Sequence, residues 1–128
     1  MKCLLDTNAV ITLLQRDPVL EARLTENSVS DYGISSIVAH ELYYGAYKGS
    51  RVEKNLAVVE LLRFEILDFE AQDAKVAGEI RAELENSGHQ IGILDTLIAG
   101  QAKARGLAVL TRNLGEFSRV SDLIVDTW

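Results

Sequence analysis

The sequence is poor in the residues that crosslink, interrupt or anchor a chain. Among its 128 residues there is one cysteine, Cys3, and one proline, Pro18. A single cysteine excludes an internal disulfide framework and a thiolate-based zinc site, and it is typical of a reducing compartment. No apolar run approaches the roughly 18 residues of a membrane span, and the first residues lack the layout of a signal peptide. We therefore expect a cytoplasmic protein that does not enter a membrane.

An excess of positive charge is also missing. The chain carries 19 acidic and 13 basic side chains, a formal charge of −6, so bulk charge alone does not hold it on nucleic acid. Much of the negative excess lies between residues 52 and 95, among helix-forming residues, which is typical of a solvated helical face. Basic residues remain as local candidates for phosphate contacts: Lys48, Arg51, Arg105, Arg112 and Arg119.

Short apolar runs alternate with longer helical patterns. We expect strands at 3–5, 32–34, 64–67, 107–110 and 123–125, and helices at 8–15, from 18, at 36–48, 52–63 and 70–86, and from 95 to about 106. Strands this apolar, separated by helices, predict a parallel sheet covered on both faces. There is no repeat, low-complexity segment or break in composition. Residues 1–128 are therefore expected to form one α/β domain.

Three carboxylates stand out against this pattern. Asp6 ends the first strand, Glu41 lies inside the 36–48 helix, and Asp95 stands at the start of a strongly apolar helix. Each has an ordinary alternative role. Asp6 and Asp95 are suited to helix capping, although Asn8 is also a competent cap and leaves Asp6 without that duty. Glu41 shares a helical stripe with Ile37 and is expected to be partly buried, where an arginine salt bridge would serve it.

The loop after the 107–110 strand offers a fourth candidate, since either Asn113 or Glu116 can point back toward the sheet. Ligands of open parallel sheets bind beyond the carboxyl ends of the strands, so these segments should meet at one edge. Carboxylates a few ångströms apart repel unless a divalent cation balances them. An all-oxygen set favours Mg²⁺ or Mn²⁺ over zinc. Hydrolysis of a phosphodiester is the natural use of such a site.

Four segments carry a resemblance to a known family: LLDTN, ISSIVAHELYYGA, GILDTLIAGQAKARGLAVLTRNLGEF and SDLIVDTW. In this order and spacing they resemble PIN-domain ribonucleases, specifically the VapC-type toxins of bacterial toxin–antitoxin pairs. The similarity spans essentially the whole chain. It implies a PIN-like fold with a central parallel sheet flanked by helices. It also implies a Mg²⁺-dependent endoribonuclease that cleaves structured RNA such as tRNA to 5′-phosphate and 3′-hydroxyl ends.

The resemblance also implies roles for individual residues. Asp6, Glu41 and Asp95 match the three acids that hold Mg²⁺ or Mn²⁺, and Glu116 matches a peripheral fourth acid. Asn113 stands where many PIN domains have aspartate, with Thr111 as polar support. Whether Asn113 or Glu116 fills the fourth position, and whether one ion or two are bound, stays open. The implied chemistry needs no histidine, so His40 and His89 are not expected to be ligands.

The partners implied by the resemblance are a second copy of the chain and a cognate VapB-like antitoxin. The antitoxin's tail would lie over the cleft and present a basic residue to the acids, and promoter DNA would be reached only through the antitoxin. An apolar groove for that tail is expected from Leu13, Leu14, Tyr43, Tyr44 and Tyr47. The alternative is that these side chains pack in the core or in a dimer interface.

Two other functions are compatible with parts of the sequence. The first is a different metal-dependent phosphate hydrolase, for instance of the haloacid dehalogenase type. That chemistry needs Asp-x-Asp after the first strand, whereas here Asp6 is followed by Thr7 and Asn8. The second is a PIN-like module that binds RNA or protein without catalysis. Retention of three mutually repelling carboxylates argues against the second function.

Overall fold

Five short strands and seven α-helices alternate along the chain in the computed structural model, which describes all 128 residues. The strands are β1 (Cys3–Leu5), β2 (Tyr32–Ser35), β3 (Glu65–Leu67), β4 (Ala108–Leu110) and β5 (Val125–Asp126). The helices are α1 (Thr7–Leu14), α2 (Pro18–Thr25), α3 (Ser36–Lys48), α4 (Val52–Glu60), α5 (Ala71–Ser87), α6 (Ile93–Ala104) and α7 (Leu114–Phe117), with a 3₁₀ turn at Val29–Asp31.

The sheet is parallel throughout and places β1 at its centre, in the order β3-β2-β1-β4-β5. In the register, Leu4 pairs with Gly33 on one side and with Val109 on the other. The chain builds outward from β1 to β3 and then crosses back to place β4 on the other side of β1. The order of the strands therefore reverses between β1 and β4. Residues that follow these two strands meet in the crevice that such a reversal creates.

The core lies along the central strands, whose side chains Leu4, Leu5, Val109 and Leu110 are fully buried. Beside it, α5 and α6 pack so closely that a Cβ on Gly100 would lie 2.5 Å from the Cβ of Ala77. This contact requires a residue without a side chain and fixes α6, which carries Asp95, against its neighbour. None of the helices combines the length and apolarity needed to cross a bilayer.

The predicted fold class is confirmed, with differences in detail. α4 ends at Glu60, three residues before the predicted end, and α7 and the 3₁₀ turn were not predicted. α6 begins at Ile93 rather than at Asp95 or Thr96. The expectation that all strands are buried is wrong for β3, where Glu65 and Ile66 are exposed. The reason is its place, since an edge strand pairs on one side only.

Candidate active site

Asp6 lies directly after β1 and is the N-cap of α1. One carboxylate oxygen, Oδ1, accepts a hydrogen bond from the Ala9 amide at 2.8 Å. The other, Oδ2, accepts one from Thr111 Oγ1, which follows β4. The side chain is 2 % exposed, and burial raises the pKa of Asp6 above its ordinary value although both hydrogen bonds oppose this. Asn8 is not the cap, so the expectation that Asp6 has no structural duty is wrong.

Asp95 lies in the first turn of α6 without capping it. The N-cap is Gly92, whose carbonyl oxygen accepts a hydrogen bond from Thr96 Oγ1 at 3.0 Å. The carboxyl group of Asp95 is therefore free of helix capping, contrary to the capping alternative. Burial raises its pKa to about 7, with contributions from Glu116 and from the charge of Asp6. The fold thus brings the Asp6 and Asp95 carboxylates close enough to repel each other.

Asn113 and Glu116 both join this group from the segment after β4. The Asn113 side-chain amide donates to Asp95 Oδ2 at 3.2 Å and to Glu116 Oε2 at 2.5 Å, and its backbone amide donates to Thr111 Oγ1 at 2.8 Å. Glu116 Oε1 accepts from the Gly92 amide at 3.3 Å. The two residues therefore occupy different places in one network, with Asn113 as the bridge. We call Asp6, Asp95 and Glu116, with Thr111 and Asn113, the acid cluster.

The carboxyl groups of Asp95 and Glu116 lie within reach of a hydrogen bond to each other, and this contact lowers the pKa of Glu116 and adds to the raised pKa of Asp95. Two carboxyl groups in hydrogen-bond contact share one proton, because both cannot ionise without a balancing positive charge. No basic side chain forms an ion pair with Asp6, Asp95 or Glu116. An all-oxygen group with this deficit of positive charge fits a hard divalent cation.

Glu41 takes no part in the hydrogen bonds that join the acid cluster. It is partly buried on α3 and takes part in none of the ion pairs, so the alternative of an arginine salt bridge is not observed. Its side chain lines an apolar groove of about 310 Å³ between α1, α3 and α4. We call this the α1–α4 groove; its apolar walls include Ile11, Leu14, Leu42, Val58 and Val59. As the side chains stand, no three Asp, Glu, His or Cys residues form a metal-binding group.

The groove differs from the one expected from sequence. Of the five residues named for it, only Leu14 lines the α1–α4 groove. Tyr44 and Tyr47 are exposed on α3, and Tyr43 faces a separate apolar cavity beside Phe64. The expectation combined side chains of α1 and α3 without α4. The walls that α4 contributes, Val58 and Val59, depend on tertiary packing.

Two histidines, the cysteine and one short helix remain to be placed. His40 and His89 are exposed, and burial raises the pKa of the Cys3 thiol to about 12, so it stays protonated at neutral pH. The short helix α7, which carries Glu116, was not predicted. Its sequence signal was the spacing of Asn113 and Glu116, a polar residue followed three positions later by glutamate, which is typical of a helix start.

Known proteins are similar to this chain over nearly its whole length. Residues 3–123 match the PIN domain family model. The tRNA(fMet)-specific endonuclease VapC of Salmonella typhimurium is 42 % identical, over 100 % of this chain and 98 % of its own length. The chain belongs to the VapC group of the PIN domain family. Ribonuclease VapC2 of Haemophilus influenzae is 41 % identical with the same coverage.

Solved structures of VapC proteins share the complete fold. The crystal structure of DNA-bound VapBC from Salmonella typhimurium matches with a TM-score of 0.93 and 43 % identity, covering 100 % of this chain and 98 % of that chain. VapBC2 from Rickettsia felis, bound to a DNA fragment from its promoter, matches with a TM-score of 0.91 and 36 % identity over 100 % and 99 %. The central parallel sheet flanked by helices is therefore that of VapC structures.

Proposed function

We propose that this protein is a Mg²⁺- or Mn²⁺-dependent endoribonuclease of the VapC type that cleaves structured RNA such as tRNA in the cytoplasm. The observation that carries the proposal is the acid cluster, in which Asp6, Asp95 and Glu116 converge beyond β1 and β4 with no basic side chain paired to them. The relatives named ribonuclease or tRNA(fMet)-specific endonuclease support it. In this proposal the PIN domain spans residues 1–128.

Within this proposal, Asp6 and Asp95 are the principal metal ligands, Glu41 completes the set from α3, and Glu116 is the peripheral acid. A bound divalent cation supplies the positive charge that favours deprotonation of water and stabilises the phosphate in the transition state. Thr111 and Asn113 hold the carboxylates in place through the hydrogen bonds described above. Attack by water on phosphorus then breaks the bond to the 3′ oxygen and leaves a 5′-phosphate and a 3′-hydroxyl.

The three candidate phosphate contacts in the last third of the chain separate into two groups. Arg105 is held by Asp73 at 2.9 Å and by the Asp68 carbonyl, so its role is structural. Arg119 is exposed, lies close enough to Glu116 to contribute to its lowered pKa, and donates to the Gln90 carbonyl at 2.9 Å. Arg112 is exposed after β4. We propose that Arg112 and Arg119 contact the RNA backbone beside the acid cluster.

The proposed partners are a second copy of the chain and a VapB-like antitoxin, with promoter DNA bound only through the antitoxin. The VapBC structures from Salmonella typhimurium and Rickettsia felis support this choice. The α1–α4 groove suits an apolar antitoxin segment, and the unpaired carboxylate of Glu41 at its edge suits a basic side chain on that segment. Such a segment would cover the proposed metal site from the α3 side.

The test is cleavage of total bacterial tRNA by the purified protein, with Mg²⁺ or with chelator, for the native chain and for Asp6→Asn. The variant keeps an acceptor for the Ala9 amide but loses a charge, so we expect at least about a 100-fold loss of rate with the fold intact. Asp17→Asn is the matched control, because Asp17 caps α2 by an equivalent hydrogen bond to the Leu20 amide at 2.9 Å.

The outcomes separate the candidate functions. Metal-dependent cleavage that Asp6→Asn abolishes and Asp17→Asn retains supports the proposal. Cleavage that persists in chelator, or that Asp6→Asn leaves unchanged, contradicts the metal mechanism. RNA binding without any cleavage by the native protein would instead favour the non-catalytic binding module.

A further inference from the structure

A second cavity adjoins the acid cluster across one short segment of chain. It measures about 160 Å³ and lies between the end of α5 and the start of α6. Its apolar walls are Leu84, Ile91 and Ile93. Leu84 is buried, whereas Ile93 is 50 % exposed although it stands at the start of an otherwise apolar helix. We call this cavity the α5–α6 pocket.

The rim of the α5–α6 pocket is polar and carries no net charge. Arg81 and Glu85 lie one helical turn apart on α5 and pair at 3.2 Å, and Gln90 adds a side-chain amide with both a donor and an acceptor. A phosphate is poorly suited to this rim, because the Glu85 carboxylate repels it. A flat, uncharged group with donors and acceptors along one edge fits both the rim and the apolar walls, and an unpaired nucleobase has that character.

The segment 90–93 joins the pocket to the acid cluster. The Gly92 amide donates to Glu116 on one side, while Gln90 and Ile93 line the pocket on the other. Within α6, Thr96 faces the pocket and its neighbour Asp95 belongs to the cluster, so the two sites lie on adjoining faces of one helical turn.

The basic side chain of Arg119 lies between the α5–α6 pocket and the acid cluster. Arg119 donates to the Gln90 carbonyl and contributes to the lowered pKa of Glu116. A nucleotide chain with its reacting phosphate at the acid cluster would pass Arg119 on the way to the α5–α6 pocket. Phosphate contacts give position, and contacts to base edges give sequence information, so the pocket is the part of this surface suited to discrimination.

We propose that the α5–α6 pocket receives the base of an unpaired nucleotide next to the cleaved bond and sets the base preference of the enzyme. This inference rests on the proposed ribonuclease function. Leu84, Ile91 and Ile93 contact the faces of the base, and Arg81, Glu85 and Gln90 read its edge. The occupant is RNA rather than a peptide, because the pocket shares its segment with the acid cluster and lies away from the α1–α4 groove.

The experiment measures kcat and KM on a tRNA transcript that the native protein cleaves, and on transcripts in which each unpaired nucleotide beside the cleaved bond is replaced in turn. Arg81→Ala removes an edge contact, and Ile93→Trp fills the pocket. Lys75→Ala, exposed on the same helix and outside the pocket, is the control for the first variant. Ile66→Trp, at an isoleucine that is also 50 % exposed, is the control for the second.

We expect the native protein to discriminate against a changed base at one position. Arg81→Ala should reduce that discrimination about tenfold, and Ile93→Trp should raise KM about tenfold, with kcat changed much less. Both controls should behave as the native chain does. Native base preference and KM in both pocket variants would overturn the proposal, as would variants that lose only neutralisation by an antitoxin. If the native protein cleaves no RNA, the ribonuclease function fails first and this inference fails with it.

Discussion

Asp6 and Asp73 are equally inaccessible to solvent, and each accepts a hydrogen bond from a backbone amide. Their electrostatic surroundings are nevertheless opposite. Each is 2 % exposed, and each accepts a hydrogen bond at 2.8 Å from an amide at the start of a helix. Arg105 binds Asp73 through two nitrogens. Asp6 receives only the neutral hydroxyl of Thr111 and faces the charge of Asp95.

The pKa values record this difference together with the deeper position of Asp6 in the fold. Burial raises the pKa of both carboxyl groups. For Asp73 the hydrogen bonds from Arg105 and the Glu70 amide outweigh burial, and the net pKa lies below its ordinary value. For Asp6 the hydrogen bonds from Thr111 and Ala9 do not, and the pKa stays raised. Where the carboxylate is structural, the chain supplies its own cation. At Asp6 no cation is supplied by the chain, and in the proposed function a divalent ion from solution takes that place.

The largest expected effect on stability comes from removing Asp73, the carboxylate that pairs with Arg105. Asp73→Ala removes a helix-start hydrogen bond and leaves Arg105 without its closest acidic partner, so we expect a loss of about 3 kcal/mol in the free energy of unfolding. Asp17→Ala removes a capping hydrogen bond only and should cost about 1 kcal/mol. Urea unfolding of the two variants measures both values. Equal losses would mean that Arg105 adds nothing and that the contrast with Asp6 is false.

The second largest effect on stability is expected from adding Mg²⁺, which would bind at the acid cluster. Mg²⁺ that binds the folded acid cluster and not the unfolded chain stabilises the fold by about 2.7 kcal/mol at 100 times its dissociation constant. We expect thermal unfolding to show a rise in Tm with Mg²⁺ that saturates in the native chain and in Asp17→Asn, and that is largely lost in Asp6→Asn. A rise of the same size in all three proteins would place the bound Mg²⁺ elsewhere.

The sequence predicted the strands, the helices and the grouped carboxylates better than the contacts between side chains that are distant in the chain. The parallel sheet followed from short apolar runs between helices. The meeting of Asp6 and Glu116 followed from their positions after β1 and β4, and that of Asp95 from its place at the start of α6. The pairing of Asp73 with Arg105 was not predicted, because it joins residues 32 positions apart across α5 and α6. The sequence alone treated Asp73 as part of a solvated face and Arg105 as a phosphate contact.

The role of Asn113 shows the same limit at the site itself. Sequence reasoning left Asn113 and Glu116 as alternatives for one position, since a motif orders residues along the chain only. In the structure both side chains belong to one hydrogen-bond network. The short helix α7 brings Glu116 back toward Gly92, and Asn113 bridges Asp95 and Glu116. Such a bridge depends on side-chain directions that spacing does not determine. The predicted places of Asp6, Glu41 and Asp95 among the metal ligands stay predictions.

The smallest effect is a dependence of stability on pH that has opposite signs in the two regions. Asp95 has a pKa of about 7 in the fold and about 3.9 when unfolded. Between these values the folded chain binds more protons than the unfolded chain, so the free energy of unfolding falls as pH rises. Asp73 acts in the opposite sense, because its lowered pKa gives a contribution that is present above about pH 4 and is lost in more acidic solution.

We therefore expect the chelator-treated native chain to be most stable near pH 5 and to lose roughly 2.5 kcal/mol between pH 5 and 7.5. Urea midpoints at constant ionic strength measure this slope. Asp95→Asn should remove most of it, because the proton that the folded chain holds is then absent, while Asp17→Asn should keep it. Saturating Mg²⁺ should reverse the sign in the native chain, since metal binding favours the ionised carboxylates. A native chain whose stability is level across this range without metal would mean that the acid cluster carries no shared proton.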